Sequence, residues 1–139
     1  GLVYNPAKGF FVQRRALHRS FLLGAWDVCG GHVETAESLL EALEREVFEE
    51  TGWRLKSVKD LIHTYNWVEL DGRSCTAHAF LIEVEGDINH PQIEENKVDK
   101  WMWVSESELD QLYENRPYAS LNATYDALLK AYNWMKQHA

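Results

Sequence analysis

Glu46, Glu49 and Glu50 crowd the end of a segment patterned as a helix, and their placement asks for a divalent cation. At about 3.6 residues per turn, Leu39, Leu40, Leu43 and Val47 make an apolar arc of roughly 100°. Glu50 falls within about 40° of the middle of that arc and Glu46 lies at its edge, so the acids do not simply form a solvated face. All three occupy the last turns before Gly52, the expected left-handed stop of the helix. A helix C-terminus carries partial negative charge, and each carboxylate there costs about 0.3 to 1 kcal/mol. Arg45 is next in the chain, but it projects about 100° away from Glu46 and cannot serve all three. A hard cation taking carboxylate oxygens fits better. Mg²⁺, which keeps waters and shares its coordination with phosphates, fits best, with Mn²⁺ able to substitute. Zinc is disfavoured, because no thiol and imidazole set lies nearby.

The spacing around these acids is specific. Gly31 is followed by Glu37 after five residues, by Arg45 and Glu46 after seven more, and then by Val47, Glu49, Glu50 and Gly52. Seven fixed identities at ordinary residue frequencies would coincide by accident about once per million such sequences. The run from 31 to 53 resembles the Nudix box, G-x5-E-x7-R-E-U-x-E-E-x-G-U with U a bulky aliphatic, and the chain resembles a MutT-like Nudix hydrolase. Trp53 stands where that family has Ile, Leu or Val.

The resemblance implies an α/β fold with a mixed sheet sandwiched between helices. It implies metal held by the carbonyl of Gly30 with Glu46, Glu49 and Glu50, while Arg45 orients a glutamate and Glu37 is more structural. Similar enzymes take a further acid from the loop before a Trp-containing strand, which points to Glu94 or Glu95. An arginine near the end of the second strand often faces the phosphates. Strand neighbours point to opposite faces, so only one of Arg14 and Arg15 reaches the site, and Arg14 is the choice. Trp26, Tyr65 and Trp67 are aromatic surfaces for a base, with Trp26 preferred. Cys29-Gly30-Gly31-His32 is similar to a stretch of isopentenyl diphosphate isomerases, but the extra glycine breaks that register and leaves Cys29 as a small packing residue.

The elements that must position these groups follow from periodicity and turn chemistry. Leu2 to Tyr4 and Phe10 to Arg15 read as strands joined by Asn5-Pro6-Ala7-Lys8-Gly9. The box helix is expected from about residue 36 to 51, capped by Thr35 or Ser38. Val58 to Leu70 and Cys75 to Val84 form a hairpin about Asp71-Gly72. Val98 to Val104 is a strand with Trp101 and Trp103 on one face. Ser105 and Glu108 make a capping box for a short helix ending before Pro117. Leu121, Tyr125, Leu128, Tyr132 and Met135 form the stripe of a last helix covering a sheet.

With 139 residues and a 45% hydrophobic share, the chain is expected to be one domain over 1–139. Its net charge of −8 disfavours nucleic acid and anionic membranes as partners. A small phosphorylated substrate is compatible, because bound metal reverses the local field. Cys29 and Cys75 are too few and too distant for a disulfide framework. No signal peptide or membrane span is evident, so a cytoplasmic setting is expected, with homodimerisation left open. The expected activity is Mg²⁺-dependent cleavage of a diphosphate bond in a nucleoside diphosphate linked to another moiety, first a nucleoside triphosphate. The alternatives are an isoprenoid diphosphate isomerase and a non-catalytic ligand sensor of the same fold.

Overall fold

Alternation along three strands sorts the core into two halves. On β1 (Leu2–Asn5), Leu2 and Val3 are buried on opposite sides; on β2 (Gly9–Arg15), Phe10 and Val12 oppose Phe11; on β5 (Ser74–Glu85), Leu81 opposes Ile82. A strand apolar on both faces must be covered twice. One face packs against α1 (Leu39–Thr51), with Val3, Phe11 and Ile82 meeting Leu43, Val47 and Trp53. The other packs against α2 (Ala123–Gln137), with Leu2, Phe10, Val12 and Leu81 meeting Ala127, Leu128, Ala131 and Tyr132. The computed structural model describes residues 1–16, 25–69, 71–113 and 123–139, leaving out the side chain of Trp67.

The strands form one mixed sheet in the order β3-β2-β1-β5-β4, with β6 (Val98–Val104) along the other edge of β2. β3 is the short Trp26–Asp27, and β4 spans Arg54–Val68. Only β1 and β5 run parallel, with Leu2 opposite Leu81; the other pairs are antiparallel. This is the expected mixed sheet between helices. β4 starts at Arg54 rather than Val58, and three register shifts bend it against β5. The hairpin turns where expected, with Gly72 at φ 88°.

The two indoles of β6 share a face, as the alternation predicts. Trp103 lies 5.6 Å from Trp53 and 5.5 Å from Phe11, and Trp101 lies 6.0 Å from Phe11. Trp53 is therefore a core residue, 2% exposed, and its Nε1 donates to the Asp87 carbonyl at 2.8 Å. The larger side chain at this position is accommodated because it fills the space beside Phe11 and Trp103 and finds an acceptor for its one polar atom. In α2, Thr124, Ala127, Leu128, Ala131 and Tyr132 are buried, with Tyr125 and Met135 packed beside them. Leu121 and Pro117 lie outside the described residues.

Candidate active site

The cap of α1 decides where the chemistry lies. The Ser38 side chain accepts from the Glu41 N–H at 3.1 Å and Glu41 accepts from the Ser38 N–H at 3.2 Å, so the helix starts at Leu39, three residues later than the periodicity suggested. Thr35 plays no part in this cap. Glu37 is thereby left in the loop, free to fold back on the helix. Leu39 and Leu40 are 43% and 48% exposed, so the buried face is carried by Ala42, Leu43, Val47 and Thr51 in the later turns. At the far end Gly52 takes φ 77°, the left-handed stop expected of it. Thr51 is held by its own hydroxyl, which donates to the Val47 carbonyl at 2.6 Å and accepts from the Trp53 N–H at 3.2 Å.

Arg45 reaches further than its helical angle suggests. Its Nε and Nη2 fork Glu37 at 2.7 and 3.0 Å. Nη1 donates to Glu46 at 2.9 Å and to Glu49 at 3.2 Å, and Nη2 also meets the His32 carbonyl at 3.0 Å. The expectation that it cannot serve all three acids holds for Glu50 alone; the long side chain swings back along its own helix to reach Glu46 and Glu49. Glu46 lies against the backbone of Gly31, where any Cβ would strike its carboxylate. The first glycine of the box is required there for close approach rather than for a turn.

Glu50 has separate partners. It accepts from the Gly30 N–H at 2.8 Å through Oε2 and from Gln13 Nε2 at 3.0 Å through Oε1. Burial pushes its carboxyl up to about 8 against the Gly30 bond, and the charges of Glu46 and Asp27 add to the rise. Among the described residues no three acid, imidazole or thiol side chains converge on one point. Glu46 and Glu49 rest on Arg45 while Glu50 rests on the strand and loop. The donor set is nevertheless that of a hard cation: carboxylate oxygens, one pressed on Gly31 and one buried without a basic partner, at a helix end whose last turn has no basic residue. Rotation of Glu46 and Glu49 off Arg45 is the movement such an ion would require.

The raised carboxyl has a measurable consequence for the metal-free chain. An unfolded glutamate titrates near 4.5, so between there and about 8 the native chain keeps a proton that the unfolded chain has released. Stability falls as pH rises through that window and levels off above it. His63, whose imidazole burial pulls down, acts in the opposite sense, so the reference is Glu50→Gln. Relative to that variant, the melting temperature should drop by about 5 °C or more between roughly pH 5 and pH 8.5 in chelator. Parallel curves would show that Glu50 titrates as an ordinary surface acid.

Other expected site residues fall elsewhere. Arg14 shares the strand parity of Phe10 and Val12, on the α2 side, and forms a two-pronged pair with Asp99, both contacts at 2.8 Å. A bulge between Arg14 and Arg15 separates them, and it is Arg15 that comes within 4.0 Å of Asp27, whose charge acts on Glu50. The preference for Arg14 over Arg15 is thus reversed by register. Trp26 registers with Arg14 and packs on the α2-side core, which leaves it a packing residue. Glu94 precedes β6, its carboxylate paired with Lys97 at 3.3 Å, and Glu95 is exposed. The Lys97 carbonyl accepts from Ala16 at 2.8 Å, tying this loop to the end of β2. Tyr65 stacks on His63 at 5.3 Å; the Trp67 side chain lies outside the described residues. Cys29 is 1% exposed with its thiol pushed up by burial, a packing residue as expected and unsuited to acid–base work.

Gln13 and Asp27 were missed by the sequence reading. The available signal was parity: Gln13 is a polar residue two places from Phe11 on the buried face of an apolar strand.

A mixed sheet between two helices, with a glycine loop and an acid-bearing helix end meeting at one face, defines a domain built to hold a cation and phosphate oxygens. The chain belongs to the Nudix family, the NUDIX domain matching residues 1–124. It is 34% identical to phosphatase NudJ of Escherichia coli over 86 residues, which are 62% of this chain. That match spans 55% of the relative, about half its length. Among solved structures it is similar to a MutT NUDIX hydrolase from Burkholderia pseudomallei, with TM-score 0.70, 23% identity and 93% and 92% of the two chains covered. It is also similar to an Ap4A hydrolase of C. elegans, with TM-score 0.70, 20% identity and coverage of 97% and 92%.

Proposed function

We propose that the chain is a Mg²⁺-dependent hydrolase of a diphosphate bond in a nucleoside diphosphate linked to another moiety, with a nucleoside triphosphate as first substrate. The observation that carries this reading is the seating of Glu46 against Gly31 and of Glu50 against Gln13 and Gly30, two carboxylates turned to one face. Gly30, Glu46, Glu49 and Glu50 would hold the metal, with Glu94 or Glu95 as a further donor. The chemistry supplied by a bound Mg²⁺ is charge neutralisation on phosphate oxygens and acidification of water. Arg45 keeps Glu46 and Glu49 in place by charged hydrogen bonds. A glutamate of the helix accepts the proton of the attacking water. Arg15, beside Asp27, is the strand arginine suited to meet a phosphate.

The name of the curated relatives, a phosphatase, supports phosphate-ester or anhydride chemistry. A burial of Cys29 this complete argues against the isomerase reading. Among the described residues no helix is long and apolar enough to cross a membrane. The net charge of −8 supports a free nucleotide rather than nucleic acid as substrate. A cytoplasmic enzyme, with a homodimer left open, completes the reading.

The test is incubation with Mg²⁺ and a panel of nucleoside triphosphates, nucleotide sugars and isoprenoid diphosphates in ¹⁸O water. A triphosphate should yield the nucleoside monophosphate and pyrophosphate, with the label in one product marking the phosphorus attacked. Release of inorganic phosphate alone would move the cleavage to another bond. Isomerised isoprenoid diphosphate without hydrolysis would overturn the reading.

A further inference from the structure

Gln13 is 4% exposed, on a strand face whose neighbour two residues back is Phe11. Its Nε2 donates to Glu50 at 3.0 Å, but its Oε1 is buried with no hydrogen-bond partner. A carbonyl stranded in this way is destabilising, and a methionine of similar volume would fill the same space without a polar atom to strand. Packing therefore does not explain the glutamine. Its one satisfied group does. Gly30 fixes the Oε2 of Glu50 from the loop and Gln13 fixes Oε1 from the strand. One donor alone leaves a carboxylate free to turn about its last torsion, which is broad and soft; two donors from different elements fix its plane.

We infer that Gln13 is a positioning residue for Glu50, its amide setting the carboxylate plane so that the remaining lone pairs face the side where Glu46 meets Gly31. The inference rests on the proposed role of Glu50 as a ligand of a divalent cation. The stranded carbonyl is the structural cost of that placement, borne in the core because the amide serves a neighbour in the site. Asp27, opposite Gln13 on β3, offers no donor for that carbonyl through its carboxylate, and Glu50 offers none while ionised.

The experiment is a Mn²⁺ titration, followed by calorimetry and by melting temperature, of the wild type, Gln13→Met, Glu50→Gln and the double variant. Without metal, Gln13→Met should melt at or above the wild-type temperature, whereas a merely structural glutamine would leave it less stable. Its Mn²⁺ affinity should fall by about tenfold, and kcat by about tenfold or more with KM for the nucleotide nearly unchanged. In the Glu50→Gln background the same change should alter Mn²⁺ affinity by less than about twofold, because Gln13 acts through Glu50. Wild-type affinity in Gln13→Met, or an equal loss in both backgrounds, overturns the inference while leaving the cation reading intact. A wild type that does not respond to Mn²⁺ overturns that reading and this inference with it. Should Gln13→Met not fold, Gln13→Asn takes its place. Its amide is one methylene too short to reach Glu50, so it should show the same loss, and full Mn²⁺ affinity there overturns the inference.

Discussion

Replacing Glu50 by glutamine is expected to abolish turnover while making the metal-free protein more stable at neutral pH. Glu50 is the acid that the fold drives under the sheet, its carboxyl pushed up to about 8 by burial. Removing its charge takes away one ligand of the proposed cation, and charge developing on the phosphates in the transition state loses its counterweight. The loss should be on the order of 10²- to 10³-fold in kcat, about 3 to 4 kcal/mol. The fold has a place for the new amide. Its oxygen accepts from the Gly30 N–H, and its nitrogen donates to the Oε1 of Gln13 once that side chain turns over, giving the stranded carbonyl a partner. Steady-state kinetics and melting curves together decide the matter. Turnover within about tenfold of wild type, a difference of roughly 1.4 kcal/mol, would remove Glu50 from the reaction.

The contrast between Glu50 and Arg14 shows how far the amino-acid pattern reaches. The helix, its glycine stop and the inward turn of Glu50 follow from spacing alone, because helical angles are rigid over the four turns involved. The hairpin at Asp71-Gly72 and the paired indoles of β6 were equally legible, since turn chemistry and strand alternation are local. Arg14 was not. Its direction depends on where β2 bulges against β6, and a one-residue shift turns a side chain to the opposite face. Gln13 escaped for a related reason: an isolated polar residue in an apolar strand reads as a flaw until the acid it meets, 37 positions along the chain, is placed beside it. The reach of Arg45 escaped because the angle of a Cα on a helix says little about the end of a side chain with four torsions.

Substituting Arg45 by lysine should also disable the protein, although the charge is kept. One guanidinium meets Glu37 with two nitrogens, bridges Glu46 and Glu49 with a third contact point, and binds the His32 carbonyl just beyond Gly31. These contacts tie three acids on either side of the helix start to the loop on which Gly30 and Gly31 lie. A lysine has a single nitrogen with three hydrogens and no planar fork, so it can hold Glu46 and Glu49 or Glu37, but not all of them and the carbonyl as well. Released from Arg45, Glu37 loses the partner that draws its carboxyl below the usual range, and the loop from 31 to 37 loses its anchor on α1. Glu46 then has no fixed position against Gly31. Because Arg45 acts by orienting other groups, kcat should fall by about 10- to 100-fold and Mn²⁺ affinity by a similar factor. Arg45→Ala should be no better than Arg45→Lys. If lysine restored most of the activity that alanine loses, charge rather than the fork would be what Arg45 supplies, and the geometric role assigned to it would have to be withdrawn.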